Sequence, residues 1–170
     1  TLHPELLKMV KILGNGVHLE MVTNGDKLTV EMVQKLYENG LDVMVVSMYD
    51  GPHQIDEFEK IFKEAKIPDD VYILRDRWYT IEEDYGVKLT NRAGVATEGY
   101  QSEVDLHKPC HYTLYSMMLD WNGDVMLCVQ DWNKKVKMGN IGSDSLFNVW
   151  KSSTGFKRYR NMLIKGKRIL

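Results

Sequence analysis

The chain has 170 residues, enough for one large domain or two small ones with a real core. A hydrophobic share of 44%, a charged share of 27% and a net charge of −2 exclude a disordered chain and the basic footprint of a nucleic-acid or anionic-membrane binder. No apolar run approaches the roughly 18 residues of a membrane span, no secretory leader pattern opens the sequence, and two cysteines make no disulfide scaffold. The expectation is a cytoplasmic protein with no nucleic-acid or membrane partner.

The first half alternates helices and strands. Pro4 suits a first helical turn, and Leu6, Met9, Val10 and Leu13 follow helical spacing until Gly14 and Gly16. Residues 17–22 predict a strand that stops at Thr23-Asn24-Gly25. Thr29 is placed to cap a helix whose Val30, Val33, Leu36 and Tyr37 share a face, ended by Asn39-Gly40. Residues 41–48 form a nearly unbroken apolar run, as in a parallel strand buried on both faces. A turn cluster, Tyr49-Asp50-Gly51-Pro52, leads to an amphipathic helix over 53–65. Residues 71–74 predict a third strand ending at Arg75, Asp76 and Arg77.

Right-handed crossovers turn this order into a parallel sheet covered by helices. Ligands of such sheets sit beyond the carboxyl ends of the strands. Those ends carry Thr23, Asn24, Ser47, Asp50, Arg75 and Arg77 on one rim, although each residue type also suits an ordinary turn. Residues 78–109 read as a connector, with a polar loop over 98–107.

Both cysteines lie in the second half. Asn122-Gly123 predicts a two-residue type I′ hairpin loop, which sets Met117 opposite Cys128 and Leu119 opposite Met126 on one face. Spacing alone allows two small buried thiols, or a zinc site with His107 and His111, although the ligands lack the paired spacing of common zinc modules. Asp120, Asp124 and Asp131 read as turn carboxylates. Ser143-Asp144-Ser145 caps a helix through Trp150, and a further helix with a basic tail follows. Its aromatic interleaving is limited to Phe156 and Tyr159, which favours a solvated face over a nucleic-acid patch.

Cys110, twelve residues, Gly123, four residues and Cys128 resemble the opening of the SPASM/twitch region of radical SAM enzymes. The likeness continues through Met138-Gly139-Asn140-Ile141, Ser145-Leu146 and Val149-Trp150. Upstream, residues 1–7 resemble the segment after the family's Gly-Gly-Glu-Pro motif. Thr23-Asn24-Gly25 and Ser47-Met48-Tyr49-Asp50-Gly51 resemble its third and fourth strand ends, and Asn91-Arg92-Ala93-Gly94 a motif preceding the auxiliary domain.

The resemblance implies a partial (β/α) barrel of α/β class over residues 1–90. It implies an incomplete auxiliary-cluster domain over 91–170, a small α+β unit with a β-hairpin and C-terminal helices. Cys110 and Cys128 would begin the ligand set of an auxiliary [4Fe–4S] cluster. Thr23, Asn24, Ser47, and Arg75 or Arg77 would contact S-adenosylmethionine. The reaction implied is reductive cleavage of S-adenosylmethionine and abstraction of a substrate hydrogen. The partners implied are a peptide, sugar or aminocyclitol substrate and a reductase, ferredoxin or flavodoxin as electron donor.

The family's Cys-x-x-x-Cys-x-x-Cys is absent from this sequence, as are further cysteines of the auxiliary set. The expectation is an internal fragment, inactive alone. The competing reading is a non-catalytic α/β binding domain with buried structural cysteines. One geometric expectation separates the two. If the stretch from Cys110 to Met117 ran straight as strand, the thiols would stand roughly 23 Å apart, at ~3.3 Å per residue. Shared ligation requires the chain to double back over residues 109–112.

Overall fold

The computed structural model describes residues 3–81, 84–90, 100–102 and 107–167, with side chains described over 3–78, 107–151 and 153–167. The Asn91-Arg92-Ala93-Gly94 motif lies outside them, as does most of the predicted loop at 98–107. The chain divides into two compact units, Thr1–Lys88 and Leu89–Leu170.

In the first unit, helix α1 (Leu6–Leu13) precedes strand β1 (Glu20–Thr23), helix α2 (Val30–Glu38), strand β2 (Val43–Met48), helix α3 (His53–Glu64) and strand β3 (Tyr72–Asp76). The strands pair in parallel in the order β1-β2-β3, with Thr23 beside Val46 and Ser47 beside Arg75. The Thr29 hydroxyl accepts the Met32 N–H at 3.2 Å, as its placement before α2 predicts. β1 begins three residues later than the apolar pattern suggests. Its first partner is Val43, and the segment before Glu20 is held instead by Asp42, whose carboxylate accepts the Leu19 N–H at 2.7 Å.

All three helices bury against one face of the sheet. Val10 of α1, Val33 and Leu36 of α2, and Phe58 and Phe62 of α3 form one core with Met44, Val46 and Met48 of β2. Phe62 stacks on Tyr72 with ring centroids 3.9 Å apart. Because side chains alternate along a strand, Val22, Val45, Ser47, Ile73 and Arg75 fall on the opposite face. Val22 is 59% and Ile73 49% exposed there.

The predicted connector is a correction. It contains strand β4 (Trp78–Ile81), paired antiparallel with β5 (Asp84–Thr90), and a short strand β6 (Tyr100–Ser102). The signal was present. Trp78, Tyr79, Thr80 and Ile81 are strand-favouring types, and Tyr85, Val87 and Leu89 alternate with polar or small residues.

The second unit holds a helical turn α4 (Tyr112–Tyr115), strands β7 (Met118–Leu119), β8 (Asp124–Met126) and β9 (Lys137–Asn140), then helices α5 (Leu146–Ser152) and α6 (Thr154–Ile164). The sheet is antiparallel, in the order β7-β8-β9. Its core is Val125, Val149 and Phe156, flanked by Met117, Leu127, Met138 and Trp150. Among the described residues, no helix is long and apolar enough to cross a membrane.

Candidate functional site

The hairpin around Asn122-Gly123 forms, but not with the predicted loop. Met118 pairs with Met126 and Leu119 with Val125, one residue away from the expected register. A type I′ turn needs positive φ at both central residues, and here only Gly123 has it, at +84°. The Asp120 N–H reaches the Asp124 carbonyl at 2.8 Å and the Gly123 N–H reaches the Asp120 carbonyl at 3.0 Å. This is a three-residue loop closed by a left-handed glycine. The Asn122 side chain favours it, since its Oδ1 accepts the Asp124 N–H at 3.0 Å.

The extra loop residue turns β8 over relative to β7. Val125 and Leu127 now take the core side, and Cys128 leaves it. Cys128 stands past the end of β8, half-buried, at the start of a turn in which its carbonyl accepts the Asp131 N–H at 3.1 Å. Its Sγ accepts the Gln130 N–H at 3.4 Å.

Cys110 is also a free, half-buried thiol. Its backbone N–H is held by the Leu163 carbonyl at 2.9 Å. The stretch after it is not straight strand, because α4 coils residues 112–115 directly downstream. A helical turn advances ~1.5 Å per residue against ~3.3 Å in a strand, so the segment from Cys110 to the hairpin spans far less than an extended run.

The residues carrying the sequence resemblance have physical reasons to be where they are. A side chain at Gly139 would bring its Cβ to 2.9 Å from Val149, so the glycine lets α5 lie on β9. Asn140 is a hub: its Nδ2 donates to Asp124 Oδ1 at 2.9 Å and to the Asn122 carbonyl at 3.2 Å, and its Oδ1 accepts the Gly142 N–H at 2.7 Å. Asp124 is buried and pairs with the Lys137 ammonium at 2.5 Å. That contact first, then the side-chain amides of Asn140 and Asn122, holds its carboxyl down to about 2. Asp120 pairs with Lys134 at 2.5 Å, which also lowers its pKa, and Asp131 Oδ2 accepts the Val136 N–H at 2.8 Å. All three acids brace turns.

The residues present fit an iron–sulfur group in kind: two accessible thiols, one with a backbone donor on its sulfur. Two thiols are half of the four thiolates that such a cluster ordinarily takes. Among the described residues, no three His, Cys, Asp or Glu side chains gather closely enough to hold a metal ion, so the zinc set with His107 and His111 is not assembled.

In the first unit the predicted rim separates into two groups. Ser47 and Arg75 are register partners on the face away from the helices. Thr23 falls on the helix side and spends its hydroxyl on the Gly25 N–H at 3.2 Å. Asn24 is exposed and donates to Asp26 at 2.8 Å. Arg77 continues the sheet through its N–H to the Met48 carbonyl at 2.8 Å, and its Nε is buried with no hydrogen-bond partner. A residue missed in the sequence organises this rim. Buried Gln54 accepts the N–H groups of Tyr49 and Asp50 through Oε1, at 2.9 and 3.0 Å, and donates to Asp50 Oδ2 at 3.1 Å. It shapes the loop that follows Ser47.

Comparison with known proteins agrees with this geometry. Residues 110–169 match SPASM, described as an iron-sulfur cluster-binding domain. The S-adenosyl-L-methionine-dependent 2-deoxy-scyllo-inosamine dehydrogenase of Niallia circulans is 26% identical over 149 residues, 86% of this chain and 54% of that protein. The crystal structure of BtrN in complex with AdoMet and 2-DOIA superposes with a TM-score of 0.71 at 22% identity, over 96% of this chain and 62% of that one. BtrN in an open conformation gives 0.65 at 20% identity, over 96% and 59%. Residues 110–169 thus resemble a SPASM iron–sulfur cluster-binding domain, and most of the chain is similar to an S-adenosyl-L-methionine-dependent dehydrogenase. It spans about half the length of the curated relative it matches.

Proposed function

We propose that this chain supplies part of the cofactor-facing sheet and part of the auxiliary-cluster domain of a radical SAM dehydrogenase. The Cys128 turn carries the reading. A free thiol stands at the end of a β-ribbon, receives a backbone N–H, and lies within the segment that matches a cluster-binding domain. Cys110 and Cys128 are its first two thiolate ligands, with further ligands to be supplied from elsewhere. When bound, such a cluster offers a one-electron acceptor or an anchor for substrate.

The first unit supports the cofactor side. Its strands follow in order, with every described helix of the core on one face, which supports a singly wound (β/α) barrel over a doubly wound sheet. The opposite face would then line the barrel. Ser47 presents a hydroxyl on that face, and Arg75 a guanidinium beside it. Arg77 holds a spare buried donor, which suits the carboxylate of S-adenosylmethionine. Domain limits of 1–90 and 91–170 belong to the same proposal.

The relative that acts on an inosamine makes an aminocyclitol the favoured substrate class over a peptide. Oxidation of such an alcohol removes one hydrogen atom from carbon, then one electron and one proton, leaving a carbonyl. The chain holds two cysteines, fewer than a catalytic cluster and an auxiliary one together need, which supports the reading that the chain alone is inactive.

Anaerobic reconstitution of the full-length protein with ferrous iron and sulfide tests the ligand assignment. The expected result is visible charge-transfer absorbance, with iron lost in both Cys110→Ala and Cys128→Ala. Wild-type iron content in both variants overturns it.

A further inference from the structure

The segment bearing Cys110 lies along the last helix in a regular way. Gly166, at φ +71°, sits so close to the segment that a side chain there would drive its Cβ into the His107 carbonyl oxygen. Three residues on along the segment and three back along the helix, the Cys110 N–H meets the Leu163 carbonyl at 2.9 Å. Three further, the Thr113 carbonyl accepts Arg160 Nε at 2.8 Å. The helix and its C-terminal turn thus act as a mould for residues 107–113, run antiparallel to them.

Arg160 is the one side chain in that series. Its Nη1 also donates to the Trp150 carbonyl at 2.9 Å. Its guanidinium carbon lies 4.0 Å from the Trp150 ring centroid and 4.6 Å from that of Phe156. One flat cation therefore ties α5, α6 and the Cys110 segment together. The geometry needs a planar fork with two separated donors and a stacking face, which lysine lacks.

We propose that Arg160 is the positioning residue for Cys110, holding that thiol where a cluster can use it while leaving Cys128 to its own turn. The proposal rests on the ligand assignment above, and its test separates the two. In the apo full-length protein, alkylation of each cysteine is followed by peptide mass mapping. Arg160→Met removes one charge-assisted bond to the segment and one to α5, and the Cys110 rate should rise about tenfold with Cys128 unchanged. Arg160→Lys should restore little of the protection. Phe156→Ala, a core deletion, should release both thiols together.

After reconstitution, a chelator should strip iron faster from Arg160→Lys than from wild type, with the Cys128 alkylation rate still at its wild-type value in the apo form. Arg160 is not the positioning residue if both its variants leave the Cys110 rate unchanged, or raise both cysteine rates equally. If Arg160→Met does not fold, Arg160→Lys alone decides. Full iron in Cys110→Ala, with the alkylation result intact, removes the ligand assignment and leaves the clasp.

Discussion

The first unit buries eleven side chains in one core, whereas the described core of the second buries three. What the second lacks in burial it makes up in polar ties: the Asn140 hub, the Asp124–Lys137 and Asp120–Lys134 pairs, and the Arg160 clasp. It also depends on glycine, at Gly123 for a left-handed loop and at Gly139 for close approach of a helix. A sheet packed under three helices can be stable on apolar area alone. A three-stranded ribbon with two helices has too little interior for that, and small units of this kind commonly add a metal or a cross-link. A cluster gripped by Cys110 and Cys128 would serve both as cofactor and as staple.

The contrast can be broken most sharply in the first core. Phe62 is fully buried and stacked on Tyr72. Phe62→Ala should cost about 3–5 kcal/mol by urea unfolding, with the fluorescence of Trp150, packed on the second unit's core, keeping its own midpoint. Coincident loss of both signals would show that the two units do not fold separately.

A smaller effect should distinguish the second unit by pH. Asp124 is held at about 2, below its ordinary 3.8, so its contribution is complete above the unfolded value and fades as pH falls from about 4 to about 2. Near-ultraviolet circular dichroism should show an acid transition in that window. Asp124→Asn should be less stable at neutral pH and should flatten the transition. An unchanged acid limb in the variant would locate the sensitivity elsewhere.

The smallest effect belongs to the surface of the first unit. Glu31 pairs with Lys35 at 2.5 Å one helical turn on, and its pKa is lowered by that contact, yet both side chains are largely in water. Glu31→Gln should leave the urea midpoint within error. A clear loss would mean that exposed pairs matter more to this unit than its core suggests.

Much of the site was legible in order but not in placement. Both cysteines, the Asn-Gly turn and the three strand ends stand in the sequence, and the cap at Thr29 forms as read. The loop around Gly123 differs from the sequence expectation because the choice between a two- and a three-residue turn rests on one backbone angle at Asn122, and that single residue turns β8 over relative to β7. The strands at Trp78–Ile81 and Asp84–Thr90 read as linker in the sequence because a short hairpin between two clearer regions is defined only by its pairing. Gln54 looked like one more polar helix position; only the loop folded back over it shows three hydrogen bonds.

Helix faces, caps and the buried central strand could be read directly, since each depends on side chains within about four positions of one another. Which rim residues share a face, where Cys128 points, and what holds Cys110 could not. Ser47 meets Arg75 only through strand pairing, and Arg160 reaches Thr113 across 47 positions of chain. Such contacts form after the backbone has already closed, and no local pattern records them.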